Sequence, residues 1–285
     1  MDVQYVDVFK SVIIDVVSFS ILGLFNLYVA KFLKPTFRGF YCNDESIRYP
    51  KHDSTVPSVT LNIVGISIPI LLILIFELKN SKENKKGEPV YTIGAHKIKM
   101  TYWNIFNMLC CFGCGALFTE LLTDTGKKVI GRLRPNFIDV CKPNFSSLCN
   151  GTELKYIDEY TCTEDERIVS ESRVSFPSGH SSFAFYVAIF LVLYIQKKIK
   201  VRTILLKPIV QFLIILLAWF VALSRVMDNK HHWSDVLVGI IIGSGVAIIN
   251  TVLVHRIFSE KKNVFVNCTN GNRTINTIHE AHAQL

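Results

Sequence analysis

The chain predicts an all-α integral membrane protein built as a six-transmembrane helical bundle, on three observations. Half of its 285 residues are hydrophobic, and the mean hydropathy of +0.34 is high for a soluble domain. The apolar residues gather into long blocks, as bilayer-spanning helices require. The blocks number six, at 11–30, 59–76, 104–122, 183–195, 204–223 and 236–257, with polar connections between them.

The first block follows Asp2 and Asp7 with no basic region ahead of it, so it is predicted to stay in the membrane as a signal anchor. Asp15 inside it reads as a snorkelling or helix-pairing group before it reads as an ion pathway. The third block holds Cys110, Cys111 and Cys114, read as small packing residues, since no histidine or carboxylate neighbours them. The fourth is too short to span alone, which puts its helix start near Ser178. Gly239 and Gly243 give the sixth a small face for close helix packing, with Gly245 nearby. Residues 1–258 thus form one six-span domain, with a long loop at about 123–177. The polar tail at 259–285 lacks apolar periodicity and is predicted to be disordered and cytosolic.

Six spans place both termini on one side. The connection at 77–103 carries Lys79, Lys82, Lys85, Lys86, Lys97 and Lys99, and the fourth-to-fifth connection carries Lys197, Lys198, Lys200 and Arg202. Such loops face the cytoplasm. Glycosylation sequons at Asn144 and Asn150 put the long loop on the other side, extracellular or lumenal. Lys31, Lys34 and Arg38 argue the reverse and are outvoted. Cys42, Cys141, Cys149 and Cys162 all fall on the side where disulfides are permitted, with connectivity left open. The net charge of +8 resides in loops rather than on a basic-aromatic face, so nucleic acid is not the predicted partner.

Three stretches at span ends carry chemistry. In the first, Lys127 and Arg134 are seven residues apart, which a helix would bring to one face before Pro135 ends it. Arginine grips phosphate in a fork and lysine adds a point charge. The second, Pro177-Ser178-Gly179-His180, opens the fourth span as a helix start. Its amides suit an anion, and Gly179 allows close approach. His180 would stand beside that anion and donate to a leaving oxygen. The third runs from Ser224 to Asp235 and holds Arg225, His231, His232 and Asp235. A carboxylate one helical turn after a histidine can hold one ring nitrogen and free the other. Spacing alone does not choose between His231 and His232. Each stretch by itself also reads as a capped helix or a charged loop. Together they fall on one face and supply cations, two histidines and a carboxylate, a set suited to phosphomonoester hydrolysis. There is no carboxylate cluster for a metal, so neither metal nor cofactor is predicted.

Lys-x6-Arg-Pro, Pro-Ser-Gly-His and Ser-Arg-x5-His-x3-Asp, in this order, resemble the three signature motifs of the lipid phosphate phosphatases, or type 2 phosphatidate phosphatases. The resemblance implies a bundle similar to vanadium-dependent haloperoxidases. It implies removal of phosphate from phosphatidate, lysophosphatidate, sphingosine 1-phosphate and ceramide 1-phosphate at the outer or lumenal face, plasma membrane first. By the same resemblance His231 is the nucleophile, Asp235 orients it and His180 is the general acid. Lys127, Arg134, Ser178, Gly179 and Arg225 would bind phosphate, with His232 in the wall. The implied partners are the lipid phosphate, membrane lipids and further copies of the chain in a homo-oligomer.

Overall fold

The computed structural model describes residues 5–83, 90–93, 96–149, 155–198, 203–254, 265–269 and 272–276. In chain order the helices are α1 (Phe9–Phe32), α2 (Ser58–Glu83), α3 (Met100–Ile130), α4 (Phe137–Cys141), α5 (Phe145–Leu148), α6 (Glu166–Ser172), α7 (Gly179–Lys198), α8 (Leu206–Met227) and α9 (Trp233–Ile248), the last continued by a π-helical turn at Ile249–Val254. Six of them (α1, α2, α3, α7, α8 and α9) are long and apolar enough to cross a membrane. They overlie the six apolar blocks, and α7 starts a turn ahead of its block, as its length required.

α3 is the longest, with 31 residues. At 1.5 Å per residue it extends about 46 Å, well beyond a hydrocarbon core of about 30 Å. The helix stops at Gly131, in the left-handed region with φ 59°, whose N–H donates to the Lys127 carbonyl. A Cβ at this position would lie 2.1 Å from the Thr36 carbonyl oxygen, so only glycine fits. The sequence placed this stop at Arg134-Pro135. A glycine stop acts earlier than the pre-proline restriction, so Lys127 ends a helix while Arg134 lies in the non-helical segment after it.

α7 is the most buried span and α1 the least. α7 packs against α9, α8, α3 and α2. Gly239 and Gly243 let α9 approach it: a Cβ at either would fall 2.6 Å from the Ser178 carbonyl oxygen or 2.0 Å from that of Ser182. On the α3 side Phe112, Tyr186, Phe190 and Tyr194 form a ladder of ring contacts. Near the far end of α7 the buried Glu77 pairs with Lys198 Nζ at 2.8 Å and accepts from Tyr194 Oη at 3.3 Å. Asn250 donates to the Cys111 carbonyl at 2.7 Å, making both packing residues between α9 and α3.

Small sheets finish both ends. At the α7 C-terminal end, β1 (Tyr5–Asp7) pairs parallel with β3 (Val90–Ile93), which pairs antiparallel with β4 (His96–Lys99). At the other end, β2 (Phe40–Tyr41) and β5 (Tyr156–Ile157) form an antiparallel pair. They lie over a cap of Phe40, Ile47, Leu133, Phe137 and Ile157. Arg173 lies over the Phe37, Phe137 and Tyr160 rings. The four loop cysteines pair here as Cys42–Cys149 and Cys141–Cys162. Arg38, one of the residues arguing for the reverse orientation, donates from Nε to the Ile130 carbonyl at the end of α3. In the tail, β6 (Phe265–Thr269) and β7 (Asn272–Asn276) pair antiparallel, where the sequence predicted disorder.

Candidate active site

Backbone hydrogen bonds gather the three stretches at one end of the bundle. Arg134 N–H donates to the Ser172 carbonyl at 2.8 Å, and Ser175 N–H to the Arg132 carbonyl at 2.9 Å. Ser178 N–H donates to the Asp235 carbonyl at 3.0 Å, and His231 N–H to the Arg225 carbonyl at 3.2 Å. The segment after α3, the start of α7, the end of α8 and the start of α9 are thus laced together. His180 and His231 share one end of the bundle.

The ring of His231 is buried, and its Nδ1 lies 2.6 Å from the Ser175 carbonyl. A carbonyl can only accept, so Nδ1 carries the proton and Nε2 keeps its lone pair. Burial, then the charges of Arg134, Arg225 and Lys127, hold this ring well below the usual histidine pKa, so it is neutral at physiological pH. Asp235, expected to hold the ring nitrogen directly, stands 4.0 Å from Nδ1. Its oxygens are taken by the Ser175 hydroxyl at 2.6 Å, the His232 N–H at 3.0 Å and Arg132 Nη1 at 2.6 Å. The ring's partner is therefore the Ser175 carbonyl, and Asp235 grips Ser175 by its hydroxyl. Helical spacing does not govern this pair, because α9 begins at Trp233, after both histidines. His232 is its N-cap in a capping box with Asp235, and its Nε2 donates to the Leu133 carbonyl at 3.1 Å.

Each cation around His231 has a carboxylate on one nitrogen and capacity to spare. Arg134 Nη1 pairs with Glu171 at 2.9 Å, and Arg225 Nη1 with Asp228 at 3.3 Å. Lys127 Nζ pairs with Asp124 at 3.1 Å. Asp228 also accepts from Thr55 N–H at 2.9 Å and its hydroxyl at 2.6 Å. Arg134 Nε and Arg225 Nε are buried with no hydrogen-bond partner among the described residues. Buried donors are normally satisfied, and an arginine fork with a nitrogen to spare suits the oxygens of a phosphoryl group. Lys230 adds a fourth cation beside Arg134 and Glu171; burial, then Arg134, lowers its pKa. Burial would raise the Glu171 carboxyl, but Arg134, Lys230 and Lys127 outweigh it and hold it below the usual range.

The α7 start forms the opposite wall. A Cβ on Gly179 would meet Lys127 Nζ at 3.0 Å, so the ammonium lies close against this turn. The first-turn amides of a helix have no partner in a preceding turn and point outward. Ser178 is fully buried; its N–H is spent on Asp235, and its Oγ accepts from the Ser181 hydroxyl at 2.9 Å. His180 Nε2 donates to the Val56 carbonyl at 3.1 Å, and Arg225 Nη1 reaches the same oxygen at 3.5 Å. Asn144 is the N-cap of α5 on the same end of the bundle, whereas Asn150 lies outside the described residues.

Sequence reasoning missed Ser175, Arg132, Glu171 and Val56. Each acts across the chain: Ser175 meets Asp235 60 residues away, and Arg132 meets it 103 residues away. Arg132 had one visible signal, a second arginine inside the Lys-x6-Arg-Pro string.

The PAP2 superfamily model matches residues 105–259, which hold all of these side chains except those from the α1–α2 connection. A Drosophila melanogaster protein named "Putative phosphatidate phosphatase" is 41% identical over 241 residues, covering 80% of this chain and 64% of its own length. Rattus norvegicus "Phospholipid phosphatase 1" is 37% identical over 249 residues, covering 87% and 86%. Rattus norvegicus "Phospholipid phosphatase 2" is 35% identical over 257 residues, covering 88% of each. No solved structure matches. With a domain match over more than half its length and relatives of this identity along most of it, the chain belongs to the PAP2 superfamily.

Proposed function

We propose that the protein is an integral-membrane phosphatase that hydrolyses lipid phosphate monoesters, phosphatidate, lysophosphatidate, sphingosine 1-phosphate and ceramide 1-phosphate among them. His231 Nε2 attacks phosphorus, the bond to the lipid oxygen breaks, and His180, protonated when the phosphate dianion is bound beside it, gives that oxygen its proton. The lipid alcohol leaves. His180 then takes a proton from water, the hydroxide attacks phosphorus, and the phosphorus–nitrogen bond returns its electron pair to Nε2 as phosphate departs. Arg134, Arg225, Lys127 and the Gly179 amide hold the phosphoryl oxygens throughout, with Ser178 shaping the turn. Asp235 orients His231 through Ser175.

The observation that carries this reading is the tautomer of His231 set by the Ser175 carbonyl, neutral and with its lone pair free, near two guanidinium groups whose buried Nε atoms have no hydrogen-bond partner among the described residues. No metal is needed in the scheme. Asp124, Glu171, Asp228 and Asp235 each hold a cation, which leaves none of them free as a metal ligand. The site faces the extracellular or lumenal side, at the plasma membrane, with the termini cytosolic. The disulfide-bonded cap and the Asn144 sequon support that side, as do the lysine-rich connections at the other end.

The test is phosphate release from these four lipids by purified protein in EDTA, beside His231→Ala. Turnover in EDTA, lost in a folded His231→Ala variant, is the expected result. Turnover abolished by EDTA and unaffected by the substitution would overturn it.

A further inference from the structure

A cavity of about 430 Å³ opens from the phosphate site down into the membrane-spanning part of the bundle, between α1, α2, α3 and α7. Its chemistry is layered. Lys127, Gly179 and His180 line its top, where phosphate is proposed to bind. Phe19, Ile66, Gly113 and Leu117 line its apolar part. Between them stand Glu120 on α3 and Asn62 on α2. Glu120 is seven residues before Lys127, two helical turns on the same face and about 10 Å along the axis. Asp124, between the two, is occupied by Lys127 at 3.1 Å. Among the described residues neither Glu120 nor Asn62 has a hydrogen-bond or ion-pair partner.

A carboxylate inside a spanning segment is costly to leave unpaired, and such groups mark substrate paths. Charge, then a polar layer, then an apolar floor is the order of groups in an amphiphile: phosphate, backbone, chain. With phosphate at Lys127, the lipid backbone falls beside Glu120 and Asn62. A backbone bearing only esters would offer Glu120 no donor, whereas one bearing an ammonium and a hydroxyl next to the phosphate would offer a charge-assisted bond.

Resting on the phosphatase reading, we infer that Glu120, aided by Asn62, selects lipid phosphates whose backbone carries a donor beside the phosphate, above all a sphingoid ammonium. The lipid lies along the cavity with its ammonium toward α3. Glu120 contributes binding rather than bond-breaking and is a specificity residue.

The experiment compares kcat/KM in mixed micelles for sphingosine 1-phosphate, lysophosphatidate and phosphatidate, with wild type, Glu120→Gln and Glu120→Asp. A charge-assisted hydrogen bond corresponds to about a tenfold effect or more. The ratio of sphingosine 1-phosphate to phosphatidate turnover is expected to fall about tenfold in Glu120→Gln and to recover partly in Glu120→Asp. A ratio unchanged from wild type, or an equal loss on all three lipids, would overturn the inference. Were wild type inert on every lipid, the phosphatase reading would fall instead. Equilibrium binding of the same three lipids to wild type and Glu120→Gln would still decide the preference.

Discussion

Gly243→Ala tests how the bundle positions the site, because the substitution touches no reacting group. Its new Cβ would lie 2.0 Å from the Ser182 carbonyl oxygen and 2.8 Å from the Tyr186 nitrogen. That is about 1.4 Å inside ordinary contact, and the obstacle is helix backbone, which cannot swing aside. α7 and α9 must part by about an ångström. α9 carries Asp235 and follows His231, while α7 carries Gly179 and His180. His231, the proposed nucleophile, therefore moves away from the proposed phosphate cradle at the α7 start. A displacement of that size costs about 100-fold in rate, or about 2.7 kcal/mol of barrier. The overpacking itself costs about 1–3 kcal/mol of stability. The assay is kcat on a lipid phosphate, scaled to monodisperse protein recovered from size-exclusion chromatography. Gly245→Ala is the control: it lies two residues further along α9, and a Cβ there meets nothing within 4 Å. Its activity should match wild type. Gly243→Ala within twofold of wild type, or Gly245→Ala equally impaired, would refute the close-packing argument.

The pH profile carries a signed prediction. His231 is held neutral by burial and by Arg134, Arg225 and Lys127. The acid limb of kcat/KM should therefore lie below the usual histidine range of about 6.5. Arg134→Gln removes one positive neighbour, makes the ring easier to protonate and moves that limb to higher pH, whatever it does to the amplitude. A limb that stays put would remove His231 from the titration. Asp235→Asn takes a charge from three hydrogen bonds, those from Ser175, His232 and Arg132. It should cut kcat by about 30- to 1000-fold, on a cost of about 2–4 kcal/mol. Ser175→Ala keeps the carbonyl that holds the ring and should cost about tenfold, so equal losses in the two would contradict the indirect arrangement. Removing the Cys42–Cys149 bridge, which spans 107 residues, should destabilise the cap by about 3–5 kcal/mol in thermal unfolding.

The spans were legible because hydrocarbon imposes one rule along the whole chain: about 20 apolar residues, then a polar break. Gly239 and Gly243 were legible as a packing face for the same reason, since the α9 period puts them on one side. The three motifs were legible because their spacing is local. Other features were not. The stop of α3 at Gly131 depends on the Thr36 carbonyl, which lies in a different connection. The partner of His231 is a backbone carbonyl, and a carbonyl has no residue identity to read. Arg132 and Glu171 pair across the fold with Asp235 and Arg134, so their charges looked like surface charges in the string. The small sheets depend on strand pairings between distant segments, as in Tyr5 with Val90.

The most direct measurement is the site of phosphorylation in a turnover mixture quenched in alkaline denaturant, which preserves a phosphorus–nitrogen bond, by 31P NMR or mass spectrometry of the protein digested at alkaline pH. With Nδ1 committed to the Ser175 carbonyl, phosphate is predicted on Nε2 of His231. Phosphate on Nδ1, on His180 or His232, or on no histidine at all would contradict it.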